Sequence, residues 1–275
     1  MSRRRVEEPS IKAELIPGQS VELLKDLHIL TRDGALNADT LRKLKQVNHL
    51  ARLVEPAVRD VLERFSDPVI VDCGAGKAYL GFILYELFLM QRGRLILLES
   101  RKDLVDAAIE RIARLKFARV EALENAIADA EIPRHVNLVV ALHACDTATD
   151  DALALAIEHN ADHVAVVPCC QAEVAQQLKS AKKYSVMNAL HDHPWHRREF
   201  GSHLTNVIRA LTLEAYGYSV TVTELAGWEH SLKNELIIGK KVRGFNKDAR
   251  EKLDKLLAET GVKPKLLRSL ASAPI

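Results

Sequence analysis

Short apolar runs alternate with segments of helical periodicity from residue 68 onward, and this alternation is typical of repeated β-α units. Five of the runs predict strands, at 69–73, 94–98, 119–122, 136–142 and 163–167. Helical spacing between and after them predicts helices at 80–90, 101–115, 150–159, 171–178 and 202–216. The order of these elements indicates a sheet whose first five strands run parallel.

The last part of this region predicts a different strand arrangement. Segments 218–224 and 234–240 follow the long helix closely and read as two antiparallel strands, and a short strand is also predicted over 184–190. We therefore expect an α/β, Rossmann-like fold with a seven-stranded, mostly parallel sheet and an antiparallel terminal hairpin.

Apolar residues at three-four spacing over 19–66 predict helices that precede the sheet. The expected organisation is a helical extension over 1–66, an α/β domain over 67–243 and a basic helical tail over 244–275. Residues 240–268 hold ten Lys or Arg against four Asp or Glu. Such a segment can bind nucleic acid, and a solvated helix face accounts for it equally well.

The composition of the chain bears on the cellular compartment that we expect. No apolar run reaches the roughly 18–20 residues that a membrane-spanning helix needs, and the basic start of the chain lacks the apolar segment of a secretory signal. The four cysteines include an adjacent pair, and three close predicted strands, which is a poor disulfide framework. A reducing, cytoplasmic location is expected.

The turn after the first predicted strand carries the most specific signal. Val69, Ile70 and Val71 lead into Asp72, and two glycines follow at 74 and 76 before a helical segment begins. Glycines suit a tight turn against which a ligand lies on bare backbone. The acid in front of them suits a ligand that carries positive charge, and the third glycine of a dinucleotide fingerprint is absent.

This Asp-x-Gly-x-Gly turn resembles motif I of the class I S-adenosylmethionine (SAM) methyltransferases. The resemblance implies that Asp72 lies near the amino group of the methionine moiety, and that Gly74 and Gly76 pass beneath the cofactor. It implies that Ala75 and Lys77 contribute backbone groups rather than side chains.

A second acid ends the second predicted strand. Glu99 lies 23 residues beyond Gly76, where a carboxylate can accept hydrogen bonds from both ribose hydroxyls, and the resemblance implies the same role. Relatives place an acid or amide near adenine after the third strand. Asn125 is our candidate there, with Glu124 and Asp129 behind it. NAD is the alternative ligand, because Glu99 would serve its ribose equally well.

Polar and sulfur-containing residues crowd two further predicted strand ends. His143, Cys145 and Asp146 follow the fourth strand, and Cys169 and Cys170 follow the fifth. Ligands on such sheets bind beyond the carboxyl ends of the strands. We therefore predict that these residues face the reacting group and that His143 also borders the cofactor.

The Leu-His-x-Cys and Cys-Cys strand ends, together with segment 227–238, resemble one branch of the class I methyltransferases. That branch includes methyltransferase-like proteins of eukaryotes and a tRNA 2′-O-methyltransferase. The likeness extends over roughly residues 40–240. It implies the class of enzyme but not its substrate. The relatives and the basic C-terminal segment together favour RNA, either tRNA or rRNA, as the methyl acceptor.

Three chemistries are open at these strand ends. In the first, the site orients an acceptor and His143, Asp146 or a nearby histidine removes its proton. In the second, Cys145, Cys169 or Cys170 attacks a pyrimidine ring, as in RNA cytosine-C5 methyltransferases. In the third, the histidine and cysteines bind zinc, but their spacing is tight for one tetrahedral ion, so no metal site is predicted. Cysteines that only pack the sheet edge are a further interpretation.

Two segments are expected to border the acceptor. Residues 191–203 hold four of the eleven histidines, and their Gly, Pro and polar content predicts a loop that acts as a lid or is simply solvated. The side chains of this segment that could approach an anionic substrate are His191, His193, Arg197 and Arg198. Lys233 and Asn234 precede the last strand and are predicted to lie near the same pocket.

The sequence therefore favours a SAM-dependent methyltransferase acting on RNA. A protein or small-molecule acceptor, a non-catalytic SAM- or RNA-binding module and an NAD-dependent oxidoreductase are the alternatives. Aromatic residues make up 5% of the chain, which argues against an extended stacking platform for single strands.

Overall fold

Seven strands pair into one sheet in the computed structural model, which describes residues 11–31, 37–142, 144–168, 171–179, 188–225 and 235–272. In chain order the strands are β1 (Val69–Cys73), β2 (Arg94–Glu99), β3 (Val120–Glu124), β4 (Leu138–Ala141), β5 (His163–Val166), β6 (Tyr218–Glu224) and β7 (Glu235–Lys241). Across the sheet their order is β3-β2-β1-β4-β5-β7-β6. Strands β1 to β5 are parallel, and β7 runs antiparallel to both β5 and β6. The predicted sheet and its terminal hairpin are confirmed.

Helices cover both faces of this sheet. Those in the described ranges are α1 (Ile11–Glu14), α2 (Val21–Asp26), α3 (Ala38–Arg64), α4 (Tyr79–Leu84), α5 (Lys102–Leu115), α6 (Thr147–Glu158), α7 (Glu173–Lys179), α8 (Asn188–His191), α9 (Pro194–Ala215), α10 (Lys247–Thr260) and α11 (Lys265–Ser272). A π-helical turn continues α4, and a short 3₁₀ turn follows β3. Within these ranges, length and apolar character never combine in one helix to the degree that crossing a membrane requires.

Alternate residues of the central strands face two separate apolar layers. In β1, Ile70 packs into the layer built with α3 and α4, whereas Val69 and Val71 pack into the layer built with α6. Every residue of β1, β4 and β5 is buried, as expected for parallel strands covered on both faces. The apolar runs in the sequence are continuous for this reason.

Helix α3 ties the N-terminal extension into the first apolar layer. Asn37 caps its start by accepting hydrogen bonds from the amides of Asp39 and Thr40, and the Thr40 side chain accepts the Asn37 amide in return. Leu44 and Leu50 are almost fully buried and pack with the residues of β1 and α4 in that layer. The extension therefore completes the core.

Helix α9 corrects the expectation for the histidine-rich segment. Composition predicts a loop over 191–203, but the structure begins α9 at Pro194. Proline fits the first helical position because its missing amide hydrogen is not needed there. The His193 ring accepts the Trp195 amide at 3.3 Å, in the place that a usual capping residue would take. The loop prediction is therefore wrong from Pro194 onward.

The segment before α9 is also helical where it is described. The sequence predicts a short strand over 184–190, yet residues 188–191 form α8. Residues 184–187 lie outside the described residues. The helical conformation of 188–190 replaces that part of the predicted strand.

The two C-terminal helices pack onto the domain. Helix α10 lies along α9, and α11 lies along α6. The Lys265 ammonium is 2.6 Å from the Asp151 carboxylate, and the Arg268 guanidinium is 2.7 Å from that of Glu173. Part of the positive charge in segment 244–275 is thus neutralised by acids of α6 and α7. The division into three segments stays a prediction.

Candidate cofactor and reaction site

The turn between β1 and α4 adopts left-handed backbone angles at three positions. Gly74, Gly76 and Ala78 have φ values of 63°, 59° and 56°. The amide of Ala75 donates to the carbonyl of Leu98 at 2.9 Å, which anchors the turn to β2. Glycine adopts these angles without a Cβ clash, and it leaves the backbone of the turn open to a ligand. At Ala78, a residue that carries a Cβ adopts the left-handed conformation.

Asp72 lies at the base of this turn with its carboxyl in the protein interior. The residue is 2% exposed. Within the described part of the chain, the Gly81 amide donates a hydrogen bond to this carboxyl at 3.2 Å. Burial, reinforced by the negative charge of Glu99, raises the pKa of Asp72 to about 7. A buried carboxyl with few donors favours a positively charged group nearby, because such a group would stabilise its ionised form.

Glu99 is the second acid of the site and ends β2. Its Oε2 accepts the Gly76 amide at 2.8 Å, and its Oε1 accepts the Arg101 amide at 3.0 Å. Burial opposes ionisation, but the hydrogen bonds from Arg101 and Gly76 outweigh it and hold the pKa of Glu99 below its usual value. Two backbone amides therefore orient an ionised carboxylate beside the glycine turn.

Arg101 is a site residue that sequence reasoning missed. Its Nε lies 3.1 Å from the Glu99 carboxylate, and its side chain is 64% exposed. Hydrogen bonding to the Glu99 carboxylate raises the pKa of the Arg101 guanidinium. Its position two residues after Glu99 was the only sequence signal for this contact.

Asn125 reaches the same region from β3. Its amide donates to the carbonyls of Glu99 and Leu123, each at 3.1 Å, so the start of this loop is fixed to the end of β2. Glu124, which precedes Asn125, and Asp129, which follows it, are both exposed. The structure thus places Asp72, Gly74, Ala75, Gly76, Glu99 and Asn125 around the carboxyl ends of three adjacent strands.

The loop after β4 packs against the glycine turn. A Cβ built at Gly74 would lie 3.5 Å from the Ala144 Cβ, so the two loops are in contact. Cys145 is exposed at this edge. Asp146 is partly exposed, and its backbone has φ 49° and ψ −116°. Such a conformation costs a residue other than glycine on the order of 1–3 kcal/mol and persists only where the surroundings hold it.

The side chain of Asp146 also has a structural role. Its Oδ1 accepts the amides of Ala172 and Glu173, at 3.0 and 3.4 Å, at the start of α7. The loop after β4 is in this way joined to the segment after β5. His143, Cys169 and Cys170 lie outside the described residues, as do the predicted Lys233 and Asn234.

Helix α9 extends past this edge of the sheet. The helix ends shortly before β6, and β6 begins beside the amino ends of the parallel strands. This follows from the pairing, because Ser219 of β6 pairs with Lys240, and Lys240 pairs with His163 at the start of β5. Twenty-two helical residues span about 33 Å, whereas the four residues of β5 span about 13 Å. Arg209 contacts the loop that follows β4. The turns of α9 that precede Arg209 therefore lie beyond the carboxyl ends of the strands.

An aromatic and cationic group lies on the first turns of α9; we call it the rim cluster, and it consists of His193, Trp195, His196 and Arg198. Trp195 is 51% exposed, and the Arg198 guanidinium lies 4.5 Å from its ring centroid. The rings of His193 and His196 are 5.2 Å apart. The sequence singled out His193 and Arg198 but not their aromatic neighbour.

The other two candidates of this segment point elsewhere. His191 is buried, and its ring stacks on Phe200 with centroids 6.4 Å apart. Arg197 donates to the His191 carbonyl at 3.2 Å. These side chains therefore contribute to the packing at the start of α9. No group of three or more His, Cys, Asp or Glu that could hold a metal occurs among the described residues.

Comparison with known proteins shows what the region around this site is similar to. Residues 42–177 match the profile of a protein family described as "Methyltransferase domain". The matched residues run from α3 into α7 and include both acids and the glycine turn. The match covers just under half of the chain, and this part of the chain is similar to a methyltransferase domain.

Curated relatives are similar over most of the chain. Proteins named "Glutathione S-transferase C-terminal domain-containing protein" from Bos taurus and Homo sapiens are each 26% identical over 231 residues. These alignments cover 76% of the chain and 35% of each relative. The chain thus spans about a third of the length of the curated relatives it matches.

Solved methyltransferase structures resemble the chain more distantly. An rRNA methylase from Streptococcus thermophilus superposes with a TM-score of 0.46 and 10% identity, covering 70% of this chain and 95% of that one. The 23S rRNA methyltransferase ErmE superposes with a TM-score of 0.43 and 13% identity, covering 79% and 81%. The fold assignment depends on the strand order and register described above.

Proposed function

We propose that the protein is a SAM-dependent methyltransferase. The observation that carries this proposal is the arrangement of two acids around one glycine turn. Asp72 and Glu99 lie at the carboxyl ends of adjacent parallel strands, and the Glu99 carboxylate accepts a hydrogen bond from the Gly76 amide of the turn itself. An α/β sheet binds its ligand at this edge, so both carboxylates border the place where a cofactor would lie.

The residues present fit SAM in their chemistry. The buried Asp72 carboxyl would hold the positively charged methionine moiety, and Glu99 would accept hydrogen bonds from the ribose hydroxyls. The bare backbone at Gly74 and Gly76 would allow close approach. When bound, SAM would supply a methyl group on a positively charged sulfur. The third glycine of a dinucleotide turn is missing, and this favours SAM over NAD.

The chain would contribute orientation and proton removal. Transfer of a methyl group depends strongly on the alignment of donor and acceptor, so fixed loops at the strand ends would supply much of the rate. Asp146 already accepts two amides at the start of α7. We therefore favour His143 over Asp146 as the base that takes the acceptor's proton. Attack by Cys145, Cys169 or Cys170 on a pyrimidine ring is the alternative.

RNA is the acceptor that we propose. The rim cluster supports it, because an exposed indole beside a guanidinium and two imidazoles can stack on a base and attract a phosphate. It lies beyond the strand ends, on the side where the acceptor would approach. The C-terminal basic segment gives weaker support, because several of its cations pair with Asp or Glu. Protein and small-molecule acceptors are the alternatives.

Incubation of the protein with radiolabelled SAM and fractionated cell extract tests both parts of this proposal. Glu99→Ala removes the ribose-binding carboxylate, and Glu121→Ala removes an exposed carboxylate of β3 as the matched control. Label that survives protease, is released by nuclease and requires Glu99 but not Glu121 is the expected result.

Other outcomes of the same experiment are equally specific. Glu99-dependent label in protein or small molecules would keep the activity and overturn RNA as the acceptor. Binding of SAM without transfer to any fraction would indicate a non-catalytic module. Binding of NAD in place of SAM would overturn the cofactor assignment.

A further inference from the structure

Helix α9 carries a row of buried polar side chains that face the reaction site. This α9 polar row consists of Ser202, Asn206 and Arg209, which are 7%, 3% and 1% exposed and share one face of the helix. The buried hydroxyls of Thr205 and Thr212 bond to carbonyls of their own helix. The side chains of the polar row instead bond to residues of other elements. A buried arginine is costly unless several partners satisfy it, so its contacts are informative.

Arg209 distributes its donors between one acid and two neutral acceptors. Its Nε lies 2.8 Å from Asp150 Oδ1, and this ion pair balances the charge. Its Nη2 donates to the carbonyl of Asp146 at 2.8 Å, and its Nη1 donates to Asn206 Oδ1 at 3.2 Å. The planar guanidinium therefore joins α9 to the backbone of the loop after β4.

The segment after β5 is held by the same row. The Gln171 side chain donates to Asn206 Oδ1 at 3.3 Å and accepts from the Ser202 hydroxyl at 2.7 Å. Gln171 is 2% exposed and directly follows Cys170 in the chain. Asp146 joins the two segments, because its carboxylate accepts the Ala172 amide.

Asp146 is the point at which these contacts meet. Its backbone conformation is one that side chains other than glycine avoid, and it is bonded at both its carbonyl and its carboxylate. We infer that Arg209 is a positioning residue for methyl transfer: with Asn206 and Ser202 it fixes the loops after β4 and β5 relative to each other. This inference rests on the proposed function. The predicted reacting residues are on these two loops.

Hydrogen exchange measured by mass spectrometry tests the positioning without any acceptor. Arg209→Lys keeps a cation for Asp150 but lacks the fork that reaches both Asp146 and Asn206. We expect exchange in segments 144–150 and 171–179 to accelerate by about tenfold, the effect of losing one hydrogen bond of ordinary strength. Exchange in β1 to β3 should stay at the wild-type rate.

Two further variants separate positioning from general loosening. Ser202→Ala removes one partner of Gln171 and leaves Arg209 intact, so exchange should accelerate in 171–179 and not in 144–150. Thr212→Val is the matched control, because this buried hydroxyl of α9 bonds to the Ile208 carbonyl within the helix. Uniform acceleration across the sheet in Arg209→Lys, or wild-type exchange in both loops, would overturn the inference.

Binding and turnover complete the test. With S-adenosylhomocysteine as the probe, Arg209→Lys should bind within about twofold of wild type, because no cofactor residue is altered. Transfer from labelled SAM to the accepting fraction should fall by about tenfold in kcat with KM for SAM unchanged. Loosened loops with wild-type turnover would contradict the role of Arg209. Absence of transfer by the wild-type protein would contradict the proposed function instead. The hydrogen-exchange result would still show whether Arg209 holds the two loops.

Discussion

The amide of Gly81 donates to the carboxyl of Asp72 at 3.2 Å, and this contact sets how closely α4 approaches β1. A Cβ built at Gly81 would lie 2.8 Å from Asp72 Oδ2 and 2.8 Å from the Leu97 side chain. The glycine is therefore required by helix-to-sheet packing rather than by its backbone angles. This close packing is also what buries the Asp72 carboxyl.

Substitution of Gly81 should affect folding and the cofactor site together. Gly81→Ala inserts a methyl group against Asp72 and Leu97, and overpacking of this kind costs about 1–3 kcal/mol in the free energy of unfolding. SAM affinity should also fall, because α4 must move away from the turn. Denaturant unfolding and titration calorimetry measure the two effects. Gly244→Ala is the control, since its Cβ would meet nothing within 4 Å; wild-type stability in Gly81→Ala contradicts this argument.

The Asp72 carboxyl should make stability decrease as the pH rises. Its pKa is about 7 in the folded protein and near 4 in an unfolded chain, so the folded state holds the proton more tightly. The protonated carboxyl makes its full contribution to the free energy of unfolding below about pH 4. This contribution, at most roughly 3–4 kcal/mol, is lost as the pH rises to about 7. Unfolding of Asp72→Asn should lack this slope between pH 4 and 7. Equal slopes in the two proteins would refute this assignment.

The same group should make SAM binding depend on pH. A positively charged cofactor favours the ionised carboxylate, so wild-type affinity for SAM is expected to rise as the pH increases through about 7. Asp72→Asn should bind weakly at every pH, because it has no charge to gain. Calorimetric titration between pH 6 and 8 checks both expectations. A wild-type affinity that falls over this range would show that Asp72 does not contact the positive group.

In the proposed site, Arg101 would compete with SAM for the Glu99 carboxylate. Its guanidinium is largely exposed, and an ion pair of this kind contributes little to stability because solvent screens it. Arg101→Ala should therefore unfold like wild type and bind SAM as tightly or up to about fivefold more tightly. Glu99→Gln, by comparison, should lose more than about tenfold in affinity. Weaker binding by Arg101→Ala would show instead that the guanidinium contacts the cofactor.

The strands and the acid-glycine turn could be predicted because their signals are local. Buried parallel strands leave continuous apolar runs, and a left-handed turn requires glycine, so β1, β2 and the positions of Gly74 and Gly76 follow from neighbouring residues. The start of α9 could not be predicted in this way. Pro194 and four nearby polar residues resemble a loop, while the cap is a histidine ring, which is not among the usual capping residues.

The contacts that hold the site together depend on residues far apart in the chain. Arg209 meets Asp150 and Asp146 across 59 and 63 residues, and no periodicity marks an arginine inside a helix as buried. Arg101 was overlooked for a different reason, since its pairing with Glu99 depends on the path of the chain as it leaves β2. Prediction from sequence therefore succeeded for the glycine turn as a structural element and missed the contacts made by these two arginines.

A charged cluster at the opposite edge of the sheet should make the protein sensitive to acid. The Asp60 carboxylate of α3 lies 2.8 Å from the His163 ring of β5, 2.9 Å from Lys240 and 3.0 Å from Arg64. Burial opposes ionisation of Asp60, but the hydrogen bonds from these three residues outweigh it and hold the pKa of Asp60 well below its usual value. The unfolded chain therefore takes up the proton first. The stabilisation is complete above about pH 4 and is lost as the pH falls further.

Asp60→Asn is expected to lower the free energy of unfolding by about 1 kcal/mol near pH 6, since solvent screens part of the interaction. The difference from wild type should shrink as the pH falls below about 4, because the unfolded wild-type chain takes up the proton before the folded protein does. Thermal unfolding between pH 3 and 6 checks this convergence, with Glu121→Gln as an exposed control. A gap between Asp60→Asn and wild type that stays constant down to pH 3 would show that Asp60 acts through packing, because only an ionised carboxylate loses its contribution in acid.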